Sequence, residues 1–170
     1  MAVDVFVADE QNDAPIDIEV WRRLVEDVVA AAGPRGDVEL ALLFVDAASI
    51  ASLNEKYLDR QGPTDVLAFP VEDVPAMGGR DPDSGGPAPG RSGEVADRAV
   101  PVLLGDVFIC PEVAGRNAAA HGRGLEDELA LLAVHGVLHL FGMDHEQDED
   151  ATQMEAMERD LLARFYEVDR

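Results

Sequence analysis

Apolar and polar positions along the chain change period several times, and each change marks an element. Val3, Val5 and Val7 alternate with polar or small residues, the period-two pattern of a strand with one buried face. From Asp17 to Ala32 the period becomes helical, with Ile18, Trp21, Leu24, Val25, Val28 and Val29 on one stripe and Gly33-Pro34 as the stop. Alternation returns from Asp37 to Val45, with Val38, Leu40, Leu42 and Phe44 on one face. Asp46 then caps a predicted short helix to Tyr57, whose inner stripe is Ile50, Leu53 and Tyr57. Gly62-Pro63 breaks the chain before a short strand from Thr64 to Phe69, which ends at Pro70.

Residues 74–99 are dense in glycine, proline and aspartate and poor in apolar residues, which predicts a flexible loop between two strands. The fourth predicted strand, Pro101 to Cys110, is a long apolar run of the kind buried on both faces. Three helices follow. Pro111 opens one that runs to about His121. Leu125 to Phe141 forms another, apolar almost all round from Leu129 onward and therefore central in the core. The last runs from Gln147 to Tyr166, with Met154, Met157, Leu161, Leu162 and Phe165 inward. The expected fold class is α+β: one domain over residues 1–170, with a small mixed four-stranded sheet packed with helices around a central helix.

Within that central helix and just past it, three of the four histidines fall in eleven residues, His135-Gly-Val-Leu-His139-Leu-Phe-Gly142-Met-Asp-His145. His135 and His139 are one turn apart on one helical face. On an unbroken helix His145 would point about 240° away from His139. Gly142 removes that obstacle by allowing a left-handed turn that doubles the chain back. Burying two imidazoles without partners costs about 1–3 kcal/mol each. A metal removes that penalty, and three imidazoles with a free fourth vertex form the donor set of a catalytic zinc site. Metzincin proteases share the spacing as HExxHxxGxxH, with a glutamate base after the first histidine. Gly136 occupies that position here, and a glycine cannot take a proton.

These residues resemble the YbeY-type endoribonucleases, which act in bacterial ribosomal RNA maturation. His135 to His145 looks like that family's zinc motif, including its glycine at Gly136. The stretch Pro63-Thr64-Asp65-Val66-Leu67-Ala68-Phe69-Pro70 looks like its strand signature, preceded by Asn54 and Tyr57 at matching positions. Gly105-Asp106-Val107 resembles the next strand, and the likeness runs over roughly residues 38–165. It implies a zincin-like arrangement in which His135, His139 and His145 hold one Zn2+ per chain. The implied activity is single-strand-specific endonucleolytic cleavage in 16S rRNA 3′-end maturation and ribosome quality control. The implied partners are ribosomal RNA and the small ribosomal subunit with its proteins, in the cytoplasm. Leu58 stands where some members carry an arginine implicated in activity, and Arg60, two residues on, is the candidate for the same phosphate.

Other chemistry is less specified. Asp144, the carboxylate nearest the ligands in sequence, is a candidate to orient water or a ligand histidine, or else a turn residue. Asp65 is a candidate to line the cleft, or a strand-end hydrogen-bonding residue. Thr64 to Phe69 is either an edge along which substrate lies or a plain core strand. Arg116 and Arg123 are further phosphate candidates, His121 either flanks the cleft or is an exposed helix-end residue, and Cys110 reads as a small buried hydrophobe. Two alternative functions remain at this point: a zinc hydrolase of peptide or amide bonds with its base elsewhere, and a non-catalytic ribosome-assembly factor with a structural metal.

Charge limits the partners. The 170 residues carry 13 Lys and Arg against 35 Asp and Glu, a formal net charge of -22 and a pI near 4.2. No DNA-coating or membrane-surface role fits, because both need cations facing phosphates. The first ten residues lack a positive region and an apolar run, so no signal peptide is expected there. A single cysteine excludes an internal disulfide and fits a reducing compartment.

Overall fold

The computed structural model describes residues 2–71, 101–143 and 148–166. The elements run β1 (Val3–Glu10), α1 (Ile18–Ala32), β2 (Val38–Val45), α2 (Ala47–Leu58), β3 (Val66–Pro70), β4 (Val102–Ile109), α3 (Pro111–Ala120), α4 (Leu125–Leu140) and α5 (Asp148–Phe165). The sheet order is β1-β2-β4-β3, with β1, β2 and β4 parallel and β3 antiparallel to β4. The fold is therefore α+β with a mixed four-stranded sheet and five helices among the described residues. The predicted loop at 74–99 lies outside the described residues.

Helix starts follow local chemistry. The Asp17 carboxylate accepts the Glu19 N–H and opens α1, and the Asp46 carboxylate accepts the Ser49 N–H at 2.8 Å and opens α2. Pro111 stands at the start of α3, where its missing N–H leaves no bond unmade. The main core joins Val5 and Val7 of β1, the stripe Trp21, Leu24, Val25, Val28 and Val29 of α1, and Leu40, Leu42 and Phe44 of β2 to one long face of α4. α4 touches β3, β4, α1, α3 and α5, as an all-round apolar helix must.

Three sequence expectations change. β4 is not buried on both faces: Leu104, Val107 and Ile109 point into the core, while Val102, Leu103 and Asp106 are exposed. α2 covers only one end of the second sheet face, where Ile50 and Leu53 pack with Val45, Leu67, Phe69 and Cys110. Tyr57 is not part of the inner stripe of α2; it is exposed and its ring meets Phe69 edge-on at 5.5 Å. On α5 the inner stripe is Met154, Glu158 and Leu161, and Met157 lies outside it. An acid thus stands where an apolar residue was expected.

Gly136 sets the distance between α4 and the sheet. A Cβ at that position would lie 2.6 Å from Cγ1 of Val107, a fully buried β-branched side chain with no room to turn. Replacing a helical glycine by alanine ordinarily gains about 1 kcal/mol. Here Gly136→Ala is expected to lower stability instead, by about 1–3 kcal/mol from overpacking. Denaturant unfolding checks this as a lower midpoint at unchanged slope; an unchanged or higher midpoint would refute the packing account.

Candidate metal centre

The C-terminal half of α4 presents His135 and His139 to a cleft of about 390 Å³. Its opposite wall is the segment leading into β3 and the strand itself, Thr64 to Ala68, and its rim carries Asn54, Leu58 and Arg60. The two imidazoles approach edge to face, with ring centroids 4.7 Å apart and planes at 79°. This is the one-turn spacing expected for side chains at i and i+4. Both rings are half-buried. Nδ1 of His135 contacts the carboxylate of Glu158 on α5, a residue only 7% exposed.

α4 ends as the glycine implied. The Gly142 N–H donates to the His139 carbonyl at 2.9 Å and the Met143 N–H to the Leu138 carbonyl at 3.2 Å. These are the two bonds of a Schellman cap. Gly142 adopts φ +98, and nothing lies within 4 Å of where a Cβ would sit. Its conformation, not a shortage of space, therefore requires glycine. Asp144 and His145, the next functional candidates, lie outside the described residues.

The rim is built by Asn54. Its backbone carbonyl accepts the Arg60 N–H at 3.2 Å, and its side-chain amide donates to the Gly62 carbonyl at 3.0 Å. A buried asparagine thereby holds both ends of the turn that carries Arg60 to the cleft. Leu58 shares that rim and is 43% exposed. Asp65 lines the cleft and also makes structural bonds: its carbonyl accepts the Cys110 N–H at 2.9 Å, and its carboxylate accepts from the Asn117 amide at 3.1 Å. Both sequence readings of Asp65 describe it.

Other candidates fall elsewhere. Arg116 is exposed and lies 3.6 Å from Glu112 one turn back on α3. Arg123 lies 3.4 Å from the buried Glu128 and lines a separate groove with Arg159 and Tyr166. His121 is an exposed C-cap of α3. Cys110 is fully buried, and that burial pushes its thiol above the ordinary value, so it behaves as a hydrophobe and not as a thiolate nucleophile. Sequence reasoning missed Glu158 and Asn117. Glu158 carried a signal, since it falls four residues after Met154 and three before Leu161, on the inner stripe. Asn117 carried none.

The donor set present fits a divalent transition-metal ion. Two adjacent imidazoles share one cleft wall, and a carboxylate contacts the ring nitrogen of one of them, as it commonly does behind a metal-bound histidine. Among the described residues, no group of three or more His, Cys, Asp or Glu converges on one point. The third sequence-derived ligand is beyond them.

Comparison with known proteins gives a consistent result. The family model described as Endoribonuclease YbeY matches residues 6–166. An Endoribonuclease YbeY of Mycolicibacterium vanbaalenii is 44% identical over 156 residues, covering 91% of this chain and 77% of the relative. That of Thermobifida fusca is 36% identical over 163 residues, covering 96% and 93%. In fold, the chain is similar to the solution structure of TM1509 from Thermotoga maritima, with a TM-score of 0.53 at 23% identity over 94% of this chain and 90% of that one.

The cap yields a direct test. Gly142→Ala forces an L side chain into left-handed backbone, at roughly 1–2 kcal/mol. Gly142→Asn is expected to recover part of that loss, because asparagine tolerates this region. Thermal or denaturant midpoints in the order glycine, asparagine, alanine support the cap; equal midpoints for all three refute it.

Proposed function

The chain belongs to the endoribonuclease YbeY family, and from that premise we propose a zinc-dependent, single-strand-specific endoribonuclease acting in 16S rRNA 3′-end maturation and ribosome quality control. The observation that carries this reading is the placement of His135, His139 and Arg60 on one cleft beside the edge strand β3. Arg60 brings a cation where a phosphodiester would sit, and among the described strands β3 stands at the sheet edge, where an extended strand can lie. His135, His139 and His145 would hold the ion, in a zincin-like arrangement around α4. When bound, zinc supplies a Lewis acid for the phosphoryl group and acidifies water enough for attack near neutral pH.

The protein's own groups then have distinct tasks. Arg60 binds a phosphate oxygen and offsets the charge that develops on it. Asp65, held by Asn117, orients a proton donor at the cleft wall. Asp144 is assigned to the ligand side, as an acceptor for water or for a histidine N–H. The packing of Gly136 on Val107 supports phosphodiester over peptide hydrolysis, because a metzincin-type base at 136 would have to displace the sheet. Small-subunit ribosomal RNA and proteins are the proposed partners. No described helix is long and apolar enough to cross a membrane.

Purified protein with single-stranded ribosomal RNA and with casein, each with and without chelator, tests the reading. Chelator-sensitive RNA cleavage with intact casein is expected, and His139→Ala should lose zinc and cleavage together. Full nuclease activity in that variant would assign the activity elsewhere. A net charge of -22 repels free RNA at long range. Cleavage of naked oligonucleotides is therefore expected to be slow, and fast salt-insensitive cleavage would contradict this. Arg60→Ala should weaken RNA cleavage about tenfold or more, a loss of about 1.4 kcal/mol, while zinc content stays at the wild-type level. Equal cleavage would remove Arg60 from the phosphate site.

A further inference from the structure

Among the residues of α5 whose burial is described, Glu158 is the one acid on the buried stripe, flanked along the helix by Met154 and Leu161, and it is 7% exposed. It also borders the groove lined by Arg123, Asp127 and Arg159, and a carboxylate this buried is unfavourable unless a partner of matching chemistry meets it. Its partner is Nδ1 of His135, across the interface between α4 and α5. A carboxylate only accepts, so this bond requires the ring proton on Nδ1. In the neutral imidazole that a metal requires, this contact selects the tautomer whose Nε2 lone pair is available, and ring geometry turns Nε2 away from Glu158.

We propose that Glu158 is the positioning residue of the metal centre, a buried carboxylate that locks the tautomer and ring plane of His135 so that Nε2 is presented to the ion. This rests on the reading of His135 as a ligand. It also accounts for a feature that core packing alone leaves unexplained. The stripe of α5 would bury more apolar area with leucine at 158, and replacing a buried polar pair by well-packed apolar residues is often neutral or stabilising. The acid stands at the position that touches a candidate ligand.

The test compares wild type with Glu158→Leu and Glu158→Gln. Zinc affinity is measured by competition with a chromophoric chelator, and the His135 tautomer by long-range proton–nitrogen NMR of the ring. Metal-free unfolding midpoints are recorded for all three proteins. Glu158→Leu is expected to fold with stability close to wild type, to bind zinc about 10- to 100-fold more weakly, and to lose the fixed Nδ1–H tautomer. Glu158→Gln, whose amide oxygen still accepts the Nδ1–H, is expected to recover most of the affinity. A Glu158→Leu variant that binds zinc as tightly as wild type, or keeps the same tautomer, overturns the proposal and leaves the cleft reading intact. If Glu158→Leu fails to fold, Glu158→Gln decides: a mixed tautomer with wild-type zinc affinity overturns the proposal. Wild-type protein that takes up no zinc overturns both readings together.

Discussion

The site depends on how closely one helix approaches the sheet. α4 is buried on nearly every side, and Gly136 lets it sit so near β4 that Val107 fills the space of a side chain. That approach leaves one face of α4 turned to the cleft beneath β3, and this face carries His135 and His139. Packing and chemistry are thus set by a single four-residue repeat of the helix. The glycine that brings helix and sheet together also removes the base a peptidase would place there. The imidazoles on the remaining face need polar partners, which Glu158 supplies on one side and the cleft on the other.

Most of this frame is legible in the sequence because it rests on periodicity and caps. The stripe of α1, the alternation of β2, the Asp17 and Asp46 caps and the all-round apolar character of α4 are local signals, and each appears where expected. So does the turn at Gly142, since a positive φ next to a helix end is a local property. What the chain does not announce is which faces other elements will cover. The outer face of β4 reads as buried, but α2 reaches only one end of it, so Val102 and Leu103 stay exposed. Met157 reads as core because it is apolar, while the stripe passes through Glu158, whose partner is 23 residues away in sequence. In the sequence Asn54 stands out only as a motif position, and its role in holding the Arg60 turn is a tertiary fact.

The acidity of the chain gives the cleft its character. Among the described residues lining it, Arg60 is the one Lys or Arg, on a protein with a net charge of -22. Attraction for a phosphodiester is therefore short-ranged and confined to the cleft, while the surrounding field opposes approach. Such a balance favours a substrate strand delivered by a larger assembly over one captured from solution. An ion held by the imidazoles, as proposed, would be the largest local positive charge available to such a substrate.

X-ray absorption at the zinc edge of the loaded protein tests the centre itself. Three imidazole nitrogens at about 2.0–2.1 Å, with their outer-ring scattering and one further light-atom ligand, are the expected first coordination sphere. A sphere with fewer than three imidazoles, or with nitrogen replaced by carboxylate or sulfur donors, would contradict the account.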